Sequence, residues 1–354
     1  MTDAGTHTGT DAGDGPSPDW TAPGAYPVAP GVHRVPLPLP NDGLRAVNVY
    51  VIEDGDALVL VDAGWALAEA RERLRQALQT LGCGLGDVRR FLVTHVHRDH
   101  YTQAVALRRE FGSLVSLGAG ERRSLELVAD STWRPLSAQL SRLHSCGASA
   151  VADRFVAAHP DRGRDPTIWE APDQWVAADT GITLDKRVLE AVPTPGHTRG
   201  HLVFLDRDAG LLFAGDHVLP RITPSIGFEP APPELPLGDY LRSLRRVRGL
   251  PDVRLLPAHG PVTASVHGRV DELLTHHDNR LNASFEAVAG GAATGYDVAR
   301  KLSWTRRGRA LADLDAFNQM LAVTETAAHL DLLVAHGRLQ ATTLDGVTRY
   351  RPGG

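Results

Sequence analysis

Six residues, His95-Val96-His97-Arg98-Asp99-His100, constrain this chain more than any other segment. They follow the short apolar run Phe91-Leu92-Val93-Thr94 and precede a helical pattern reaching about Phe111. A strand that empties into polar side chains, with a helix leaving the loop, is where α/β proteins place their sites. His95 and His97 are two residues apart, so a tight loop can aim both at one point, and Asp99 and His100 then turn toward a second. Imidazole is a ligand for Zn2+, and a carboxylate compensates the charge.

Three further strand ends carry ligand-type residues. Val188–Val192 leads to Thr194-Pro195-Gly196-His197, Leu211–Ala214 leads to Gly215-Asp216, and Val253–Leu256 leads to Pro257-Ala258-His259-Gly260. Each ligand candidate stands beside a glycine, which takes backbone conformations that other residues resist. Upstream, strands at Val47–Ile52 and Ala57–Val61 flank the turn Glu53-Asp54-Gly55-Asp56, and the second ends at Asp62-Ala63-Gly64. Apolar residues at helical spacing predict a helix over 66–81. A single histidine at a strand end is more often structural. Four strand ends that together deliver seven ligand-type side chains point to a metal site.

In this order, over residues 30–264, the motifs resemble the metallo-β-lactamase superfamily. The resemblance implies an α/β fold, an αββα sandwich with the site at one edge of its two sheets. It implies two divalent metal ions per chain, with zinc expected and iron or manganese as alternatives. His95, His97 and His197 would hold one ion, and Asp99, His100 and His259 the other. Asp216 would bridge them, and Asp62 would orient the ligands. A bridging aspartate is similar to glyoxalase II, the lactonases, the thioesterases and the nuclease branches, and disfavours β-lactamase activity. The implied reaction is attack of a metal-bridged hydroxide on a thioester, ester or lactone carbonyl, with Asp99 and Asp216 as catalytic carboxylates. The alternative is a metal-dependent endoribonuclease or phosphodiesterase.

Residues 119–180 interrupt the strand rhythm with helical patterns and carry Trp133, Trp169 and Trp175. They are expected to form a helical insertion over the mouth of the site. With the Pro-rich loop 218–238, they would frame a substrate pocket that His217 and Arg221, and also Arg134, could face. The catalytic domain is thus expected over 26–264, after a disordered tail at 1–25 that is rich in Gly, Asp, Thr and Pro.

Residues 265–354 read as helices at 269–289, 296–303 and 317–336, then short strands at Leu339–Thr343 and Val347–Tyr350. Three helices and a hairpin form a winged-helix pattern. The run Glu325, His329, Leu330, Leu333 and Gly337 resembles the C-terminal module of the lactamase-like branch. Acidic and basic residues balance in this segment, and the whole chain carries a net charge of −5. A nucleic-acid reader would be clearly basic. The module is therefore expected to serve packing or formation of a homodimer, and the expected partner is a small acyl substrate. His201 reads as structural, and His276 and His277 as a solvated helix face. The two cysteines, Cys83 and Cys146, are too few for a disulfide framework. Residues 1–25 lack the pattern of a secretion signal, and no run is long enough to span a membrane, so a cytoplasmic location is expected. The preference for arginine over lysine is a habit of GC-rich bacterial genomes.

Overall fold

The computed structural model describes residues 19–40, 43–130, 132–158, 166–305 and 308–353. The first sheet runs β1 (Tyr26–Ala29), β2 (Val32–Pro38), β3 (Ala46–Asp54), β4 (Ala57–Val61), β5 (Val88–Val93), β6 (Leu114–Gly118) and β7 (Gln174–Val176), paired in that order. It is antiparallel as far as β4 and parallel from β4 to β7. Parallel neighbours need a crossover. Here α1 (Ala68–Thr80) joins β4 to β5, and α2 (Arg98–Phe111) joins β5 to β6. Three helices, α3 (Arg122–Ala129), α4 (Ser137–Ser145) and α5 (Ser149–Ala158), separate β6 from β7.

The second sheet contains β8 (Thr180–Thr183), β9 (Val188–Pro193), β10 (Leu202–Asp206), β11 (Leu211–Gly215) and β12 (Arg254–Pro257), in the order β12-β11-β10-β9-β8. Helix α6 (Pro236–Arg248) connects the parallel pair β11 and β12. The chain ends in α7 (His267–Ala289), α8 (Gly295–Lys301), α9 (Ala316–Ala335) and the antiparallel hairpin β13 (Leu339–Leu344) and β14 (Val347–Pro352).

Three apolar clusters define the layers. Tyr50, Ile52, Val61 and Leu92 of the first sheet meet Leu189, Phe204, Phe213 and Leu256 of the second. Leu74 and Leu78 of α1 and Tyr101 and Val105 of α2 cover the outer face of the first sheet. Leu241 and Leu244 of α6, Leu273 of α7 and Leu330 of α9 cover the outer face of the second, with Val203 and Leu212. The order is helix, sheet, sheet, helix. With both faces covered, the central strands are apolar throughout rather than alternating, as in the fully buried Ala57–Val61.

Two expected boundaries move. Residues 174–176 extend the first sheet as β7, so Trp175 belongs to the sandwich and not to an insertion. Only three residues pair there, too few to show a strand period. Of the segment expected as a tail at 1–25, residues 19–25 are fastened: the Trp20 carbonyl accepts from Arg34 at 2.6 Å, and Asp19 pairs with Arg45 at 3.0 Å. Residues 1–18 lie outside the described residues, as do 131 and 159–165 of the insertion. Among the described residues no helix is long and apolar enough to cross a membrane.

Candidate metal centre

The end of β5 delivers His95 and His97, and the first turn of α2 delivers Asp99 and His100. His197 follows β9, Asp216 follows β11 and His259 follows β12. Two groups result. In the first, potential ligand atoms of His95, His97, His197 and Asp216 lie within 4.8 Å of one another; Asp99, His100 and His259 form the second. The nitrogens of the first group sit in a triangle: His95 Nε2 to His97 Nδ1 is 3.0 Å, His197 Nε2 to His95 Nε2 is 3.2 Å, and His197 Nε2 to His97 Nδ1 is 3.1 Å. Nitrogens bound tetrahedrally to one zinc at about 2.0–2.1 Å stand about 3.3 Å apart. Asp216 faces both groups. Its Oδ2 is 3.5 Å from His197 Nε2, while Oδ1 is 3.3 Å from His259 Nε2 and 3.7 Å from His100 Nε2.

Each imidazole has its outward nitrogen taken by an acceptor, which leaves the inward nitrogen bare. His97 Nε2 donates to the Phe228 carbonyl at 2.7 Å, His197 Nδ1 to the Ser225 carbonyl at 2.7 Å, and His259 Nδ1 to the Ala46 carbonyl at 2.8 Å. His100 Nδ1 donates to Asp62 Oδ2 at 2.9 Å. The Thr94 hydroxyl gives its proton to Asp62 and accepts from His95 Nδ1 at 3.0 Å. This is how proteins fix the tautomer and aim of metal-binding histidines. Asp62 sits at the end of β4 with φ 62°, a left-handed backbone that side chains larger than Asn or Asp rarely adopt.

The charges divide along the same line. Burial, reinforced by the neighbouring imidazoles, holds His95 well below the ordinary range and His97 down to about 3. Burial also lowers His197. These three imidazoles are neutral, the form that can bind a metal. In the second group burial opposes charge on His100, yet Asp62, Asp99 and Asp216 carry it up to about 10. Against the same burial, Asp216 raises His259. Asp99 and Asp216 are pulled down by His100 and His259, although burial works the other way. The carboxylates therefore demand positive charge. Nε2 of His100, Nε2 of His259 and Oδ1 of Asp216 are also buried without a hydrogen-bond partner. Each such atom costs about 1–3 kcal/mol, and cations between the groups would satisfy all three. The donor set fits divalent metal.

The sequence model of the metallo-beta-lactamase superfamily matches residues 42–259. The chain belongs to the metallo-beta-lactamase superfamily. Within the superfamily, it is 26% identical over 309 residues to the "Probable metallo-hydrolase YqjP" of Bacillus subtilis, a match covering 85% of this chain and 91% of that one. It is 27% identical over 245 residues to the lactamase-like protein nscB of Arthroderma benhamiae, a match covering 69% of this chain but only 43% of the fungal protein. Among solved structures, a metallo-beta-lactamase family protein of Thermus thermophilus superposes with a TM-score of 0.74 at 26% identity, over 91% of this chain and 99% of that one. A beta-lactamase domain protein of Burkholderia ambifaria gives 0.73 at 27% identity, over 95% and 98%.

Other expected site residues of this metallo-beta-lactamase fold go elsewhere. His217 is fully buried, 5.2 Å from the Tyr240 ring and 6.1 Å from the His201 ring. Its neighbour Asp216 turns inward, and His217 is carried into the core behind it. Arg221 and Arg134 are exposed. His201 is structural in a specific way: its Nδ1 donates to Thr194 Oγ1 at 2.9 Å, and its Nε2 accepts the Asp216 backbone N–H at 3.1 Å. His276 and His277 do not form a solvated face, since His277 is fully buried against His329 and Tyr240. Sequence reasoning also missed Glu121, a buried acid after β6 that takes the Thr198 hydroxyl proton beside His197.

Proposed function

We propose that this chain is a dinuclear metal-dependent hydrolase that cleaves an acyl carbonyl compound, a thioester, ester or lactone. The observation that carries the reading is Asp216, whose two oxygens face two separate ligand groups. His95, His97 and His197 would hold one zinc ion and Asp99, His100 and His259 the other. Bound there, divalent ions supply a nucleophilic hydroxide at neutral pH and polarise the carbonyl oxygen. The chain's own part is to present five imidazoles in the ligand tautomer and to keep the site dry. Asp99 retains 15% exposure between His100 and His259. Asp99 would hand a proton from the attacking water to the leaving group.

Phe228, which fixes His97, also lines a cavity of about 280 Å³ together with Gln139 and Arg142 of α4, Pro232, and Thr324 and Ala328 of α9. Arg142 is already paired with Asp331. A cavity with its cation neutralised suits an organic acyl arm better than a polyanion. We take residues 265–354, three helices and a hairpin, as a winged-helix-like module that serves packing and not nucleic-acid reading. The Bacillus relative is named a probable metallo-hydrolase, which agrees with hydrolysis. The test is a panel of an acyl-thioester, a lactone, bis-p-nitrophenyl phosphate and single-stranded RNA with zinc-loaded protein. The expected result is turnover of a carbonyl substrate that chelator abolishes. Turnover of the phosphodiester or the RNA alone would overturn the reading in favour of a nuclease.

A further inference from the structure

The C-terminal helices bury a second set of ligand-type side chains, separate from the centre at the sheet edge. His276 and His277 are adjacent on α7 and Glu325 lies on α9, and one potential ligand atom from each falls within 4.8 Å of the others. His277 is fully buried, while His276 and Glu325 are half-buried, so solvent reaches the cluster from one side.

The hydrogen bonds decide which nitrogen is free. His329 Nδ1 donates to the Glu325 carbonyl at 2.8 Å. Its Nε2 is then an acceptor, 3.1 Å from His277 Nδ1. His277 therefore donates from Nδ1 and keeps a bare lone pair on Nε2, which is buried with no hydrogen-bond partner. The five histidines of the primary centre show the same pattern, with the outer nitrogen held by an acceptor and the inner one left open. Glu325 forms no salt bridge within 4.0 Å among the described residues; burial raises its carboxyl and the charge of Arg280 works against that. Arg280 spends its guanidinium elsewhere, donating to the Ser303 carbonyl at 3.1 Å and stacking 4.2 Å over Trp304.

We propose that His276, His277 and Glu325 hold a further divalent transition ion that staples α7 to α9, with one coordination position left to water. Two imidazoles and a carboxylate select zinc or a close neighbour over calcium or magnesium. The test uses full-length protein stripped by chelator and refilled with zinc, compared with His276→Ala and Glu325→Gln. Metal content is read by elemental analysis, and cobalt replaces zinc for absorption spectra. Wild type is expected to bind about one equivalent more per chain than either variant, and to gain thermal stability from it that the variants do not. The difference is expected to persist in a His95→Ala background, which separates this site from the primary centre. Should Glu325→Gln fail to fold, the half-buried His276→Ala carries the comparison. Equal zinc content in wild type and variants, with no change in the cobalt spectrum, would overturn the proposal.

Discussion

At the residue scale, Asp216 and Asp62 do different work and should fail differently. Asp216 faces both ligand groups, so Asp216→Ala removes charge from each. Turnover should fall by at least about 100-fold, since even the loss of a residue that merely orients a ligand costs about 10–100-fold. Retained turnover with full metal content would contradict its bridging role. Asp62 is not itself one of the seven ligand candidates; it receives the Thr94 amide and hydroxyl and His100 Nδ1. Asn tolerates the left-handed backbone at this position, so Asp62→Asn isolates the lost charge and acceptor. Zinc titration should show affinity at the His100 side weakened by about 10–100-fold with the fold intact; unchanged affinity would exclude the orienting role. The seven side chains could be read from the sequence because ligand chemistry resides in side chains and each follows an apolar strand. The Phe228, Ser225 and Ala46 carbonyls that fix three of the imidazoles could not, since a backbone acceptor has no residue-type signature. The burial of His277 was equally hidden, because an isolated histidine pair on a helix has no pattern that separates a buried pair from a solvated one.

At the scale of elements, the loops that present the ligands are tight because other backbone presses on them. Gly196, next to His197, has φ 137°, and a Cβ there would stand 2.4 Å from the Tyr240 Cα of α6. Gly196→Ala must therefore displace a helix backbone and not a flexible side chain. A loss of about 1–3 kcal/mol in denaturant unfolding is expected, together with weaker zinc binding at His197; wild-type stability would show that α6 yields freely. After β6, Glu121 and Glu229 form a buried acidic pair. Burial, then Glu229, pushes Glu121 up to about 8, and burial pushes Glu229 up to about 7. The folded protein thus keeps protons that the unfolded chain releases near its ordinary glutamate value. This contribution to stability is lost as pH rises through that interval toward 8. Glu121→Gln should gain stability relative to wild type on going from pH 5 to pH 8.5, measured by unfolding at both values. A difference independent of pH would contradict a protonated Glu121. Regular elements such as α1, α2 and β9 to β12 were legible from their periodicity. Strand β7 was not, because its pairing is set by the neighbouring strand and not by its own three residues.

At the scale of the whole molecule, residues 265–354 share one apolar cluster with the second sheet. Met320, Val323, Ala327, Leu330 and Leu333 of α9 are all fully buried. The broad apolar face that the sequence suggested would need a cover, and a second subunit was one candidate. The chain itself provides it through α5, α6, α7 and the hairpin. Removing 265–354 should therefore expose the outer face of the second sheet and cause aggregation, as seen by light scattering; a soluble, active 1–264 fragment would show two independent domains. The same fastening makes α9 one wall of the cavity next to Phe228. Two metal positions joined by Asp216 are the centre of the proposed function. Its most direct test is the metal-to-chain ratio of zinc-loaded protein in the His276→Ala background, followed against turnover as metal is added. About two ions per chain are predicted, with turnover completed only by the second. Full turnover at a single ion per chain, with no further uptake, would contradict the dinuclear centre.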